Sequence, residues 1–184
     1  GVHASLAREV LGGLSLLYTW QGADPSLPPV VLMGHMDVVP VPAPNLKEWT
    51  HAPFSGAIAD GYVWGRGTLD DKSNLITQLE ALELLLKAGF TPKRTLYFVY
   101  GHDEEVGGRL GVVKIVEQLK QRGVKLAWVM DEGLAVTEGI LPGVKQPLAL
   151  IGLGSVGLET DRLDEWSDLD FFVIVQPGAK ARYL

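Results

Sequence analysis

Residues able to do chemistry fall in four short stretches of this chain: His35 with Asp37, Asp70 with Asp71, Glu104 with Glu105, and Asp131 with Glu132. Carboxylates packed closely raise one another's pKa, so a gathering of them is stable only around a cation. One histidine with several Asp and Glu, in a chain without cysteine, is a nitrogen-and-oxygen ligand set. It suits Zn2+, with Mn2+ and Co2+ as less common occupants. Taken singly, each stretch has a plainer explanation. A lone histidine is usually buried and satisfied, and a lone Glu-Glu or Asp-Asp pair usually sits in a solvated loop. The metal reading rests on all of them recurring at equivalent places along the chain.

Those places follow from the hydrophobic pattern. Leu14–Trp20 is apolar and aromatic, and residues 22–29 are dense in Gly, Pro, Asp and Ser, which reads as a strand and then a turn. Val30–Met33 is a short apolar run, suited to a central strand covered on both faces, and it leads straight into His35 and Asp37. The proline-rich stretch 41–53 reads as an irregular surface loop. Lys72–Lys87 is expected to be a helix, because Leu75, Leu79, Leu82 and Leu86 form one stripe and Gly89 and Pro92 end it. Asp70 and Asp71 stand at its start. Arg94–Tyr100 reads as a strand before Glu104 and Glu105, residues 110–121 as a helix, and Leu126–Met130 as a strand before Asp131 and Glu132. Alternating strands and helices predict an α/β fold, a three-layer αβα domain with a mostly parallel central sheet. In such sheets ligands bind beyond the carboxyl ends of the strands, where these clusters would lie.

Composition narrows the function. The chain has 184 residues, 47% hydrophobic and 21% charged, the balance of an ordinary folded protein. A net charge of -6 disfavours a nucleic-acid partner, which asks for a basic face. The absence of cysteine excludes disulfides, Cys-based zinc fingers and thiol catalysis. No apolar run approaches the roughly 18 residues of a membrane helix. The chain opens Gly-Val-His-Ala without a recognisable signal, and reads as a piece of a longer protein. The compartment stays open, with the cytoplasm favoured, and so does the oligomeric state.

The motifs Gly34-His35-Met36-Asp37-Val38-Val39-Pro40, Gly65-Arg66-Gly67-Thr68-Leu69-Asp70-Asp71-Lys72, His102-Asp103-Glu104-Glu105-Val106-Gly107-Gly108 and Asp131-Glu132-Gly133 resemble, in order, those of the M20 family of zinc-dependent metallopeptidases. The likeness is to its carboxypeptidase S / Gly-Xaa carboxypeptidase branch, which includes N-acyl-amino-acid hydrolases, and it covers roughly residues 5–150. It implies a hydrolase of amide bonds in peptides or N-acyl amino acids, with two Zn2+ per complete site. By this resemblance His35 would bind one zinc, Asp70 bridge the two, Glu105 bind the second and Asp131 complete the first, with Glu132 the substitute if the register slips by one. Glu104 would be the general base and Asp37 would orient the His35 imidazole. Family members carry a further histidine ligand past an inserted lid or dimerisation domain, and this chain is too short to hold either. The resemblance therefore implies a truncated catalytic domain, and an inactive metal-binding fragment is the alternative.

The tail reads differently. An acidic stretch, Glu159–Asp170, precedes the apolar run Phe171–Val175. Gly154 and Ser155, then Asp168 and Asp170 ahead of that run, resemble the opening of a nucleotidyltransferase, whose paired aspartates hold Mg2+. This divides the chain into 1–152, a partial M20 domain, and 153–184, a nucleotidyltransferase-like fragment, and a remnant of that class is the other alternative. Ordinary roles are expected elsewhere. His3 and His51 read as surface or loop histidines, His102 as a local hydrogen-bonding residue, and Trp20, Trp49 and Trp64 as packing. Arg66 is expected to hold Asp70 or Asp71 in place.

Overall fold

The computed structural model describes residues 5–132. The chain divides into two units, Gly1–Val129 and Met130–Leu184. The first holds β1 (Leu6–Leu11), β2 (Ser15–Trp20), β3 (Val30–His35), β4 (Ala57–Ala59), β5 (Tyr62–Trp64), helix α1 (Lys72–Lys87), β6 (Leu96–Gly101) and helix α2 (Val112–Gln121). The last described strand, β7 (Trp128–Met130), reaches the division.

The main sheet has the order β1-β2-β6-β3-β7. β3 runs parallel to β6, with Val30 beside Leu96 and His35 beside Gly101. The chain leaves β3, forms α1 and returns to the same side, as a parallel neighbour requires. β1–β2 and β2–β6 are antiparallel. The sheet is therefore mixed where a mostly parallel one was expected, within an α/β class that stands. The cause is local. Gly12 and Gly13 both take positive φ and turn the chain back in a loop so short that only antiparallel strands can flank it.

Alternation along the strands sends side chains to two faces, each covered by one helix. Leu17, Val31 and Val99 pack with Ile115 and Leu119 of α2. Trp20, Phe98 and Tyr100 pack with Leu82 of α1, and the partly buried Leu75, Leu79 and Leu86 extend that contact. The leucine stripe thus buries as its spacing predicts, and the three layers are helix, sheet, helix.

Three features lay outside the sequence reading. β1 carries Arg8 and Glu9 in mid-strand, which suits a sheet edge and hides the apolar pattern. β4 and β5 form a separate two-stranded sheet joined through Asp60-Gly61. The proline-rich loop contains a 3-10 turn, Ala43–Glu48, begun where proline is tolerated because the first N–H groups of a helix have no partner.

Arg122, after α2, ties the edge strand down: its Nη1 donates to Glu9 Oε1 at 2.8 Å and its Nη2 donates to the other carboxylate oxygen. The bonded guanidinium holds the Glu9 carboxyl below its ordinary value. Stability from a depressed carboxyl is present above the unfolded pKa and disappears as pH falls through the folded one. Both side chains are about one-third exposed, so the pair contributes less than about 1 kcal/mol. Glu9→Gln is expected to lower the urea midpoint slightly at pH 7 and to match the unchanged protein at an acid pH below the depressed folded value. An equal gap at both pH values would contradict this account.

Candidate metal centre

β3 and β6 are parallel, so their carboxyl ends lie at one edge of the sheet. β3 ends at His35, and the 3-10 turn Glu104–Val106 follows β6. The loop from Gly65 brings Asp70 and Asp71 to the start of α1. Sequence-distant residues therefore meet here.

His35 is the centre of this arrangement and is only 2% exposed. Its Nδ1 lies 3.1 Å from the Asp37 carbonyl oxygen and 3.4 Å from Asp37 Oδ1. A carbonyl oxygen can only accept, so Nδ1 carries the proton of that bond. Nε2 points the other way, 2.9 Å from Asp70 Oδ1 and 3.8 Å from Glu104 Oε2. When the ring is neutral, Nε2 meets the carboxylate as a second acceptor, and two acceptors in contact call for a cation between them. His35, Glu104 and Glu105 also offer ligand atoms that all lie within 4.8 Å of one another. Imidazole nitrogen with carboxylate oxygens is an ordinary zinc donor set, so these side chains fit the metal that the sequence motifs imply.

Asp37 does more than face the imidazole. Its Oδ1 accepts the Glu104 N–H at 3.1 Å and its Oδ2 accepts the Glu105 N–H at 3.0 Å. One carboxylate thus fixes the histidine ring and the Glu-Glu turn together. Glu105 is held from its other end, where Oε1 accepts the Val39 N–H at 3.1 Å. Burial pushes the Glu104 carboxyl above its ordinary value, and the carboxylates of Glu105, Asp37 and Asp70 push the same way against the opposing His35. Half of the Glu104 side chain is exposed, so water screens this shift.

Asp71 is 2% exposed and plays another part than its neighbour Asp70, to which it is joined by a cis peptide bond. It stands at the N-cap position of α1 without capping the helix. Its Oδ2 instead accepts the His35 N–H at 3.0 Å and an Asn74 amide N–H at 3.3 Å. Burial raises the Asp71 carboxyl pKa and these two bonds oppose it. Lys72 Nζ donates to the Met36 carbonyl at 2.6 Å, bracing the same loop.

Arg66 departs from expectation. Its guanidinium lies over the Trp49 ring, 5.5 Å from the centroid, and the backbone and Asn74 donors, not Arg66, meet Asp71. A cation over an indole face is a favourable contact that leaves the carboxylates to other partners. Trp20 is core and Trp64 meets His51 edge to face at 5.0 Å, so both tryptophans pack as expected. His102 Nδ1 lies 2.7 Å from Ser15 Oγ, a partner far away in the chain where a local one was expected.

Asp131 and Glu132 follow β7 in the chain and belong to the second unit, where Asp131 Oδ1 accepts the Glu132 N–H at 2.9 Å. His3, Gly154, Ser155, Asp168 and Asp170 lie outside the described residues.

Comparison with known proteins decides the lineage. The model of the peptidase family M20/M25/M40 matches residues 31–178. The chain belongs to this family. The match crosses the expected boundary at 152/153, and the nucleotidyltransferase likeness of the tail finds no support in it. The N-fatty-acyl-amino acid synthase/hydrolase PM20D1 of Xenopus tropicalis is 52% identical over 157 residues, covering 84% of this chain and 30% of that protein. The probable carboxypeptidase S-like 2 of Dictyostelium discoideum is 43% identical over 158 residues, covering 85% of this chain and 30% of its own length. The chain thus spans under a third of the curated relatives it matches. Among solved structures, the M20 family metallo-carboxypeptidase Sso-CP2 from Sulfolobus solfataricus shares the fold, with a TM-score of 0.58 at 24% identity over 71% of this chain and 29% of that one. Among the described residues no helix is long and apolar enough to cross a membrane.

Proposed function

We propose that the chain carries the metal-holding part of a zinc-dependent amide hydrolase of the M20 family, acting on peptides or N-acyl amino acids. The observation that carries this reading is the contact of His35 Nε2 with Asp70 Oδ1 at 2.9 Å, with Glu104 and Glu105 at the same sheet edge. Family membership and the relatives' names, carboxypeptidase S-like and N-fatty-acyl-amino acid synthase/hydrolase, support the substrate class.

His35, Asp70 and Glu105 would hold the metal, and for Asp131 the motif resemblance alone gives that role. Zinc, when bound, lowers the pKa of water and polarises an amide carbonyl. Asp37 keeps the Nδ1 proton in place so that Nε2 presents its lone pair. Glu104, half-exposed and with its carboxyl shifted upward, is suited to take a proton from the attacking water and pass it to the departing amine.

The test is metal content after dialysis against trace zinc, for the unchanged chain and for Asp70→Ala. Tightly held zinc that is lost on changing Asp70 is the expected result. Absence of zinc from the unchanged chain would overturn the reading. Glu104→Gln should retain zinc and reduce hydrolysis of an N-acyl amino acid by about 10²–10⁴-fold. Zinc binding without turnover in the unchanged chain would favour a metal-binding fragment, a reading its share of its relatives' length keeps in view.

A further inference from the structure

Beneath the metal centre a line of buried and half-buried polar side chains crosses from the sheet to α1. Tyr100, 1% exposed on β6, donates its hydroxyl proton to Gln78 Oε1 at 3.3 Å. Gln78 Nε2 donates to Asn74 Oδ1 at 2.9 Å and to the Met33 carbonyl at 2.7 Å. Asn74 Nδ2 donates to the same carbonyl at 3.1 Å and to Asp71 Oδ2 at 3.3 Å. Asp71 Oδ2 accepts the His35 N–H at 3.0 Å. Each amide both accepts and donates, so the direction of the whole series is set by the phenol, which must donate because Gln78 Oε1 can only accept.

We propose that Asn74, Gln78 and Tyr100 are positioning residues for the metal centre, holding Asp70 and His35 at their mutual distance. The ladder ends on Asp71, the neighbour of Asp70, and on the backbone of His35. It also grips β3 at Met33, two residues before His35. Both metal-facing side chains are thereby tied to one end of α1. Gly34 shows how close this approach is: a Cβ there would lie 2.8 Å from Asp71 Oδ2 and 3.4 Å from Asn74 Nδ2. The glycine before His35 leaves the space in which helix and strand meet. Asn74 and Gln78 are one helical turn apart, and both flank the leucine stripe without joining it, so a core role does not explain them.

This inference rests on the metal reading above, and the experiment separates the two. Co2+ is titrated into the metal-free full chain, following the dissociation constant and the visible absorption of the bound ion, with the melting of the metal-free chain as control. Gln78→Leu is expected to weaken Co2+ binding by about 10–100-fold and to alter the visible spectrum, with the protein still folded at the titration temperature. Tyr100→Phe should act in the same direction and more weakly. Thr77→Ala, on the neighbouring exposed position, should leave binding unchanged. Wild-type affinity and spectrum in Gln78→Leu would overturn the proposal, as would a loss of affinity explained by unfolding of the metal-free chain. If Gln78→Leu does not fold, Tyr100→Phe decides by the same two readouts. Failure of the unchanged chain to bind Co2+ at all would instead remove the metal reading on which the proposal stands.

Discussion

Replacing Asp37 with alanine is expected to weaken zinc binding by about 10–100-fold, although Asp37 is not among the residues expected to touch the metal. Its carboxylate has three partners: the His35 ring, and the backbone N–H groups of Glu104 and Glu105. Alanine removes both acceptors, so the Glu-Glu turn loses its tie to the β3 end. At Nδ1 the ring loses the Asp37 carboxylate at 3.4 Å and retains the Asp37 carbonyl at 3.1 Å. Water can reach part of the vacated space, since the Asp37 side chain is 20% exposed. The stability cost is therefore placed near the lower end for lost acceptors, about 1–2 kcal/mol. Asp37→Asn keeps one oxygen and should fall between the two. Competition with a chelator reads the affinity and urea denaturation reads the stability. Unchanged zinc affinity in Asp37→Ala would show that the Glu-Glu turn holds its place without this carboxylate.

The uneven legibility of the site has a physical basis. The four polar clusters were visible because each is contiguous and follows a strand or precedes a helix, and local patterns record such placements. α1 was legible end to end, since its stripe, its glycine and its proline are all signals of neighbouring residues. The antiparallel partner of β6 was not, because strand order is decided by which distant segments bury each other's faces. The double duty of Asp37 was missed for the same reason: its bonds to Glu104 and Glu105 span 67 and 68 positions. Arg66 shows the converse error. Its nearness in sequence to Asp70 suggested an ion pair, yet the Trp49 ring lies under its guanidinium. The β4–β5 sheet had a local signal in Asp60-Gly61, a pair favoured in two-residue hairpin turns, but its strands are too short for alternation to stand out.

The loop carrying Glu104 and Glu105 supplies the second large effect, at a residue with no side chain. Gly111, the N-cap of α2, passes so close to the loop that a Cβ would lie 2.3 Å from Asp103 Oδ1, 2.5 Å from Ser15 Oγ and 3.1 Å from His102 Nδ1. All but the last are far inside van der Waals contact. Ser15 is fully buried and Asp103 is 8% exposed, so neither can swing into solvent. Asp103 is also engaged by its other oxygen, which accepts the Leu110 N–H at 2.7 Å, and its carbonyl accepts the Gly108 N–H at 2.7 Å. Displacing it would open the turn that sets the direction of Glu104 and Glu105. Gly111→Ala is therefore expected to destabilise the fold by about 3 kcal/mol, the upper end for overpacking, and to weaken zinc binding with it. Removing the Ser15 hydroxyl should relieve only part of this, because the nearer clash is with Asp103. A Ser15→Ala, Gly111→Ala chain as stable as Ser15→Ala alone would mean that Asp103 can move after all, and that the turn does not depend on where its carboxylate sits.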